Sequence, residues 1–166
     1  MAVTKRRSRS VGENTADGIR QVAMDLFYKQ GFQATTLRHI ASRVGIQVGS
    51  LYNHIESKGD LLFEIMETVM RDLLEDQRQV TPTPDVVERM RLLVYHHVKF
   101  HGERAAEVFI GNSELRSLSR AQRKRIVGLR HDYEQVFKQQ LEDGIRQGQC
   151  SPREVHTRAY GFYAVT

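Results

Sequence analysis

The chain has a single cysteine, Cys150. That excludes an intrachain disulfide and any zinc site built on paired cysteines, and it fits a reducing compartment. Proline is scarce, and two of the three, Pro82 and Pro84, fall within Thr81 to Pro84. Because proline is disfavoured inside helices, that stretch reads as a linker and the remainder is open to helix. No alternation of apolar and polar residues is sustained, and neither a hairpin nor an internal repeat is visible. The first ten residues carry charge without an apolar run, so they form neither a signal peptide nor a membrane span. The expectation is a cytoplasmic protein with no membrane partner. Gly-rich phosphate loops, His-Glu-x-x-His and Gly-x-Ser-x-Gly are also missing. The common enzyme signatures are thus excluded, and no cofactor is implied.

What is present describes a globular chain with a basic end. The 166 residues are enough to bury roughly two-thirds of the unfolded surface. The formal charge of +5 favours an anionic partner. Its placement says more than its size. Up to Asp60 there are nine Lys and Arg against five Asp and Glu, so most of the excess lies in the first third. Residues 1–13 form a basic arm without periodicity, either a solvated tail or a segment that follows phosphates or enters a minor groove.

One stretch, Thr35 to Lys58, organises the rest. Leu37, Ile40, Ala41 and Val44 recur at helical spacing. Thr35 or Thr36 stands where an N-cap belongs, and Gly45 can end the helix with a positive φ. A second, very short helix is expected from about Val48 to Ile55. Two short helices joined by a Gly-containing turn make a helix-turn-helix, whose second helix enters the DNA major groove. Leu51 and Ile55 can face inward, leaving Gln47, Ser50, Tyr52, Asn53 and His54 outside. Those side chains combine base-edge donors and acceptors with groups that reach phosphates. A plain helix-loop-helix accounts for the spacing, but a merely solvated face more often carries Lys and Glu.

Thr-Thr-Leu-Arg-His-Ile-Ala, Val-Gly-Ile, Gly-Ser-Leu-Tyr-Asn-His-Ile and Ser-Lys-Gly-Asp-Leu-Leu follow in that order. Together, over Thr15 to Leu62, they resemble the DNA-binding signature of the TetR family of transcriptional repressors. Asn53 replaces a frequent aromatic, Val48 a frequent polar residue and Gly59 a usual Glu, departures that bear on base preference. The resemblance implies DNA contacts from Thr36, Arg38, Gln47, Val48, Gly49, Ser50, Tyr52, Asn53, His54 and Lys58. Lys58 would meet a phosphate, and the long helix after it would join the DNA-binding and ligand-binding parts. The family's final two helices form the dimer interface, most of which would lie beyond Thr166.

Downstream, each segment reads as helix. Asn14 or Thr15 can cap a first helix with Ile19, Val22, Ala23, Leu26 and Phe27 on one stripe. Ser57 and Asp60 resemble a capping box for a helix to about Gln79. A further helix starts near Pro84 and runs to His101 or Gly102. A segment from Glu103 to Asn112 is apolar nearly all round, which predicts burial. Ser119 and Gln122 form another capping box before a helix carrying Ile126, Leu129, Tyr133 and Phe137, with Gly148 past its end. A last helix begins at Ser151-Pro152. His97 and His101 share a helix face and are a candidate metal pair for an alternative enzyme reading, but no third ligand is placed. Phe109, Tyr133 and Phe137 are candidates to line a ligand cavity, or plain core. The run from Phe109 to Gly148 resembles family members that respond to acyl-coenzyme A thioesters. There Arg116, Arg120, Arg123 and Arg130 would meet coenzyme A phosphates or simply form a solvated face.

The expected protein is all-α. Residues 1–13 are an arm, 14–60 a three-helix helix-turn-helix domain, and 61–166 a helical-bundle domain for ligand binding and dimerisation. Its expected partners are a double-stranded DNA operator, a small-molecule effector and a second copy of itself. An architectural DNA binder without effector is the other non-enzymatic reading.

Overall fold

A computed structural model of the chain describes residues 11–80, 83–149 and 151. The expected arm up to residue 10, Cys150 and the helix after Ser151 lie outside the described residues, as do Thr81 and Pro82 of the linker. Among the described residues every regular element is helical: α1 (Val11–Gln30), α2 (Leu37–Val44), α3 (Val48–Leu51), α4 (Lys58–Arg78), α5 (Val86–Glu103), α6 (Ala105–Ser113), a 3₁₀ turn (Leu115–Ser117) and α7 (Arg120–Arg146). They fall into two compact units divided between Ile65 and Met66, inside α4.

The first unit is built on the stripe expected of α1. Ile19, Ala23, Leu26 and Phe27 are buried, together with Phe32, Ile40, Ala41, Leu51, Ile55, Leu61, Leu62 and Ile65. α1 packs on α2, and α2 on α3. Phe32 meets Phe27 edge to face at 5.2 Å, fastening the loop after α1 to that helix. α1 is already helical at Val11, ahead of Asn14 and Thr15, which therefore do not cap it.

Local chemistry sets the ends of α2. Thr36 is the N-cap, its Oγ1 accepting from His39 N at 3.2 Å. Thr35, fully buried, is used differently: its hydroxyl donates to Gly31 O at 2.9 Å and accepts from Gln30 Nε2 at 3.1 Å. Gly45 closes the helix at φ 81°, with its own N–H and that of Ile46 returning to Ala41 O. A side chain there would be strained in the left-handed region, which is why glycine serves.

The second unit has a core of Val69, Leu73, Leu93, Phe100, Tyr133 and Phe137. α5 packs on α7 and on α6. Pro84 does not open α5. The cap is Asp85, whose Oδ1 accepts from Val87 N at 2.8 Å and Glu88 N at 3.2 Å, satisfying two of the unpaired first-turn donors. The Ser119–Gln122 capping box forms as expected. α6 is not buried all round: only Ile110 is fully enclosed, and Phe109 is 53% exposed.

Candidate nucleic-acid interface and a lined cavity

The outward face of the helix-turn-helix is assembled from α2 and the segment after it. Thr36, Arg38, Gln47, Gly49, Ser50, Tyr52, Asn53 and His54 are exposed, and Val48 is half-buried. Tyr52 is 56% exposed although it is a large aromatic residue. Leu51 and Ile55 are buried beneath them, as the spacing required. α3 itself is shorter than expected. It spans Val48–Leu51, not Val48 to Ile55. Past Leu51 the chain tightens: Asn53 N bonds to Ser50 O and His54 N to Leu51 O, three residues back. Tyr52, Asn53 and His54 are thus presented from a turn, while Gln47, Val48, Gly49 and Ser50 stand at the helix start.

Lys58 behaves differently from the other nine. It is half-buried, and its Nζ donates to Phe32 O and Thr35 O, each at 2.7 Å. The same nitrogen lies 4.2 Å from the centroid of the Phe32 ring. Of the other basic residues, Lys29 and Arg43 pair with Asp25 at 2.6 and 3.1 Å, and chiefly the hydrogen bond from Lys29 holds the Asp25 carboxyl below its ordinary range.

The second unit encloses a cavity of about 250 Å³ between α4, α5, α6 and α7. Its apolar wall includes Met66, Val69, Met70 and Leu73 from one face of α4. Of the three expected lining residues, Tyr133 alone is there. Phe137 lies one turn further along α7, in the core, 5.3 Å from the Tyr133 ring. Phe109 is off the face of α6 that supplies Val108, Gly111 and Asn112 to the wall. An apolar run on one short helix does not reveal which side the neighbouring helices cover.

Polar groups converge on the cavity. The Tyr133 hydroxyl is 2.9 Å from His97 Nδ1, and His101 Nδ1 donates to His97 O at 2.8 Å. The two imidazole rings stand 3.9 Å apart. Burial, with the neighbouring His101 charge second, lowers the His97 pKa to about 4, so its ring is neutral near pH 7. Burial likewise raises the Tyr133 phenol, which stays protonated. Both contacts use Nδ1, and among the described residues no group of three metal-ligating side chains stands together. Arg130 is fixed by Nη2 donating to Gly111 O at 2.9 Å and Asn112 Oδ1 at 3.1 Å. Burial lowers its pKa, opposed by the Glu134 charge. Arg116, Arg120 and Arg123 are exposed and do not line the cavity.

Comparison with known proteins agrees with this geometry. Residues 19–65 match the bacterial regulatory proteins of the tetR family, and residues 83–166 match the tetracyclin repressor-like C-terminal domain. The HTH-type transcriptional repressor KstR2 of Mycolicibacterium smegmatis is 28% identical over 138 residues, 82% of this chain and 67% of its own length. The chain spans about two thirds of the length of the curated relatives it matches, 67% and 63% for two KstR2 proteins. A tetR-family regulatory protein from Rhodococcus RHA1 superposes with a TM-score of 0.85 at 28% identity, over 91% of this chain and 80% of that one. AibR, solved with isovaleryl coenzyme A and operator DNA, superposes with a TM-score of 0.78 at 27% identity, over 90% of this chain and 82% of its own. No helix among the described residues is long and apolar enough to cross a membrane. With both of its parts matched, the chain belongs to the TetR family of bacterial transcriptional regulators, which are not enzymes.

Proposed function

We propose that this chain is a cytoplasmic, ligand-responsive repressor that binds an inverted-repeat operator as a homodimer and leaves it when a small molecule fills the cavity. One observation carries the reading: a cluster of hydrogen-bonding side chains stands exposed on a short helix and turn whose apolar partners, Leu51 and Ile55, are buried. Arg38 is suited to a guanine edge, since a guanidinium can pair with it bidentately. Gln47, Ser50 and Asn53 are suited to base edges, and Thr36, Tyr52 and His54 to phosphates. Val48 and Gly49 present little bulk beside them, which suits close approach to the duplex. Two-fold symmetry places one such turn in each half-site.

The proposed effector class is an acyl-coenzyme A thioester. An apolar wall that includes Met66 and Met70 suits an acyl chain, and Arg130 in the lining suits an anionic group. The structural relative solved with isovaleryl coenzyme A and operator DNA supports both halves of the proposal. Emptying an operator almost completely requires the ligand to prefer the released form by roughly 10⁴-fold.

The test starts from a random-sequence duplex pool enriched on the protein at low ionic strength. An inverted repeat is expected, and failure to enrich any duplex refutes DNA recognition. Acyl-coenzyme A thioesters of increasing chain length are then titrated against the complex. If none weakens it, the thioester class is wrong. Val69→Trp, which fills the cavity, is expected to abolish the response while leaving operator affinity intact.

A further inference from the structure

We infer that Lys58 is a positioning residue, which clamps the loop between α1 and α2 and so fixes how the recognition turn is presented, rather than meeting a DNA phosphate itself. This rests on the DNA-binding reading above. Lys58 is the first residue of α4, where the helix dipole disfavours a cation. Something else must compensate, and the loop carbonyls do. Nζ donates to Phe32 O and Thr35 O at 2.7 Å each, with Gln33 O further away at 3.5 Å. The ring face of Phe32 lies on a further side of the ammonium. An ammonium has three protons, so the two short bonds and the ring occupy most of its directions.

The clamped residues sit directly before the recognition element. Thr35 precedes Thr36, whose side chain caps α2. Thr35 is also tied to α1 through Gln30 and Gly31, and Phe32 through the Phe27 ring. The loop is therefore held from α1 on one side and by Lys58 on the other. Releasing the Lys58 side frees the start of α2, and with it the orientation of Thr36 and Arg38. Those groups need fixed geometry to meet a duplex, so a loosened loop weakens binding without removing a phosphate contact.

Salt dependence separates the two roles. Each phosphate neutralised by a lysine contributes about 0.9 to the slope of log affinity against log salt. With the duplex enriched by the wild-type protein as probe, Lys58→Met is expected to weaken binding roughly tenfold at every salt concentration, with the slope unchanged. Lys58→Arg is expected to bind as poorly, because a planar guanidinium does not reproduce a point-charge donor among carbonyls. A slope that falls by about 0.9 per contact in Lys58→Met overturns the inference, and so does wild-type affinity in either variant. The unmutated protein supplies a readout that needs no variant to fold. On brief treatment with acetic anhydride, Lys58 is expected to react more slowly than exposed Lys124 in the free protein, and adding duplex should change its rate little. Rapid labelling of free Lys58 that only the duplex suppresses overturns the clamp. If the wild type enriches no duplex, the DNA-binding reading itself has failed, while slow labelling of Lys58 would still report the clamp.

Discussion

The phenolic oxygen of Tyr133 lies 2.9 Å from Nδ1 of His97, joining α7 to α5 at the wall of the cavity. His97 is 7% exposed and Tyr133 4%, so both are buried polar groups, and each gives the other a hydrogen-bond partner. A neutral imidazole accepts from a protonated phenol, and the directions of both pKa shifts favour that arrangement near pH 7.

Stability should therefore fall on mild acidification. His97 has a folded pKa of about 4 against the usual 6.5. Between those values the unfolded chain binds a proton that the folded chain refuses, so the contribution is complete above about 6.5 and is lost as pH falls towards 4. It amounts to roughly 3–4 kcal/mol at most. Urea unfolding at a series of pH values should show this slope in the wild type and a flatter one in His97→Gln. Equal slopes would mean that His97 titrates normally in the folded protein.

Tyr133→Phe keeps the ring but removes the hydroxyl that bonds His97 Nδ1 in the core. The expected cost is about 1–2 kcal/mol, read as a lower urea midpoint at unchanged m-value. A neutral result would place water in the gap.

Asp85→Ala removes the side chain that satisfies two N–H groups at the start of α5. A loss of about 1 kcal/mol is expected, with Asp85→Ser recovering most of it. Thermal melts of the three proteins compare them directly.

Asn53→Ala should leave stability within about 0.5 kcal/mol, because the residue is exposed and its side chain is not among the cap or core groups. Binding to the enriched duplex should fall by about 1–3 kcal/mol if Asn53 reads a base, with relaxed preference at one position. An equal loss on all sequences would assign it to the backbone of the duplex.

Short-range order was legible in the residues themselves. The apolar stripe of α1, the Thr36 and Gly45 ends of α2, and the Ser119–Gln122 box depend on neighbours within a turn or two, and sequence spacing records such neighbours. The exposed set around Tyr52 was legible for the same reason, since Leu51 and Ile55 fix the inward side. Tertiary packing decided the rest. It chose Tyr133 over Phe109 and Phe137 for the cavity wall, because that depends on which faces of α4, α5, α6 and α7 meet. It also turned the Lys58 ammonium onto carbonyls more than twenty residues away, where the energy of a desolvated cation depends on acceptors that no local pattern can locate.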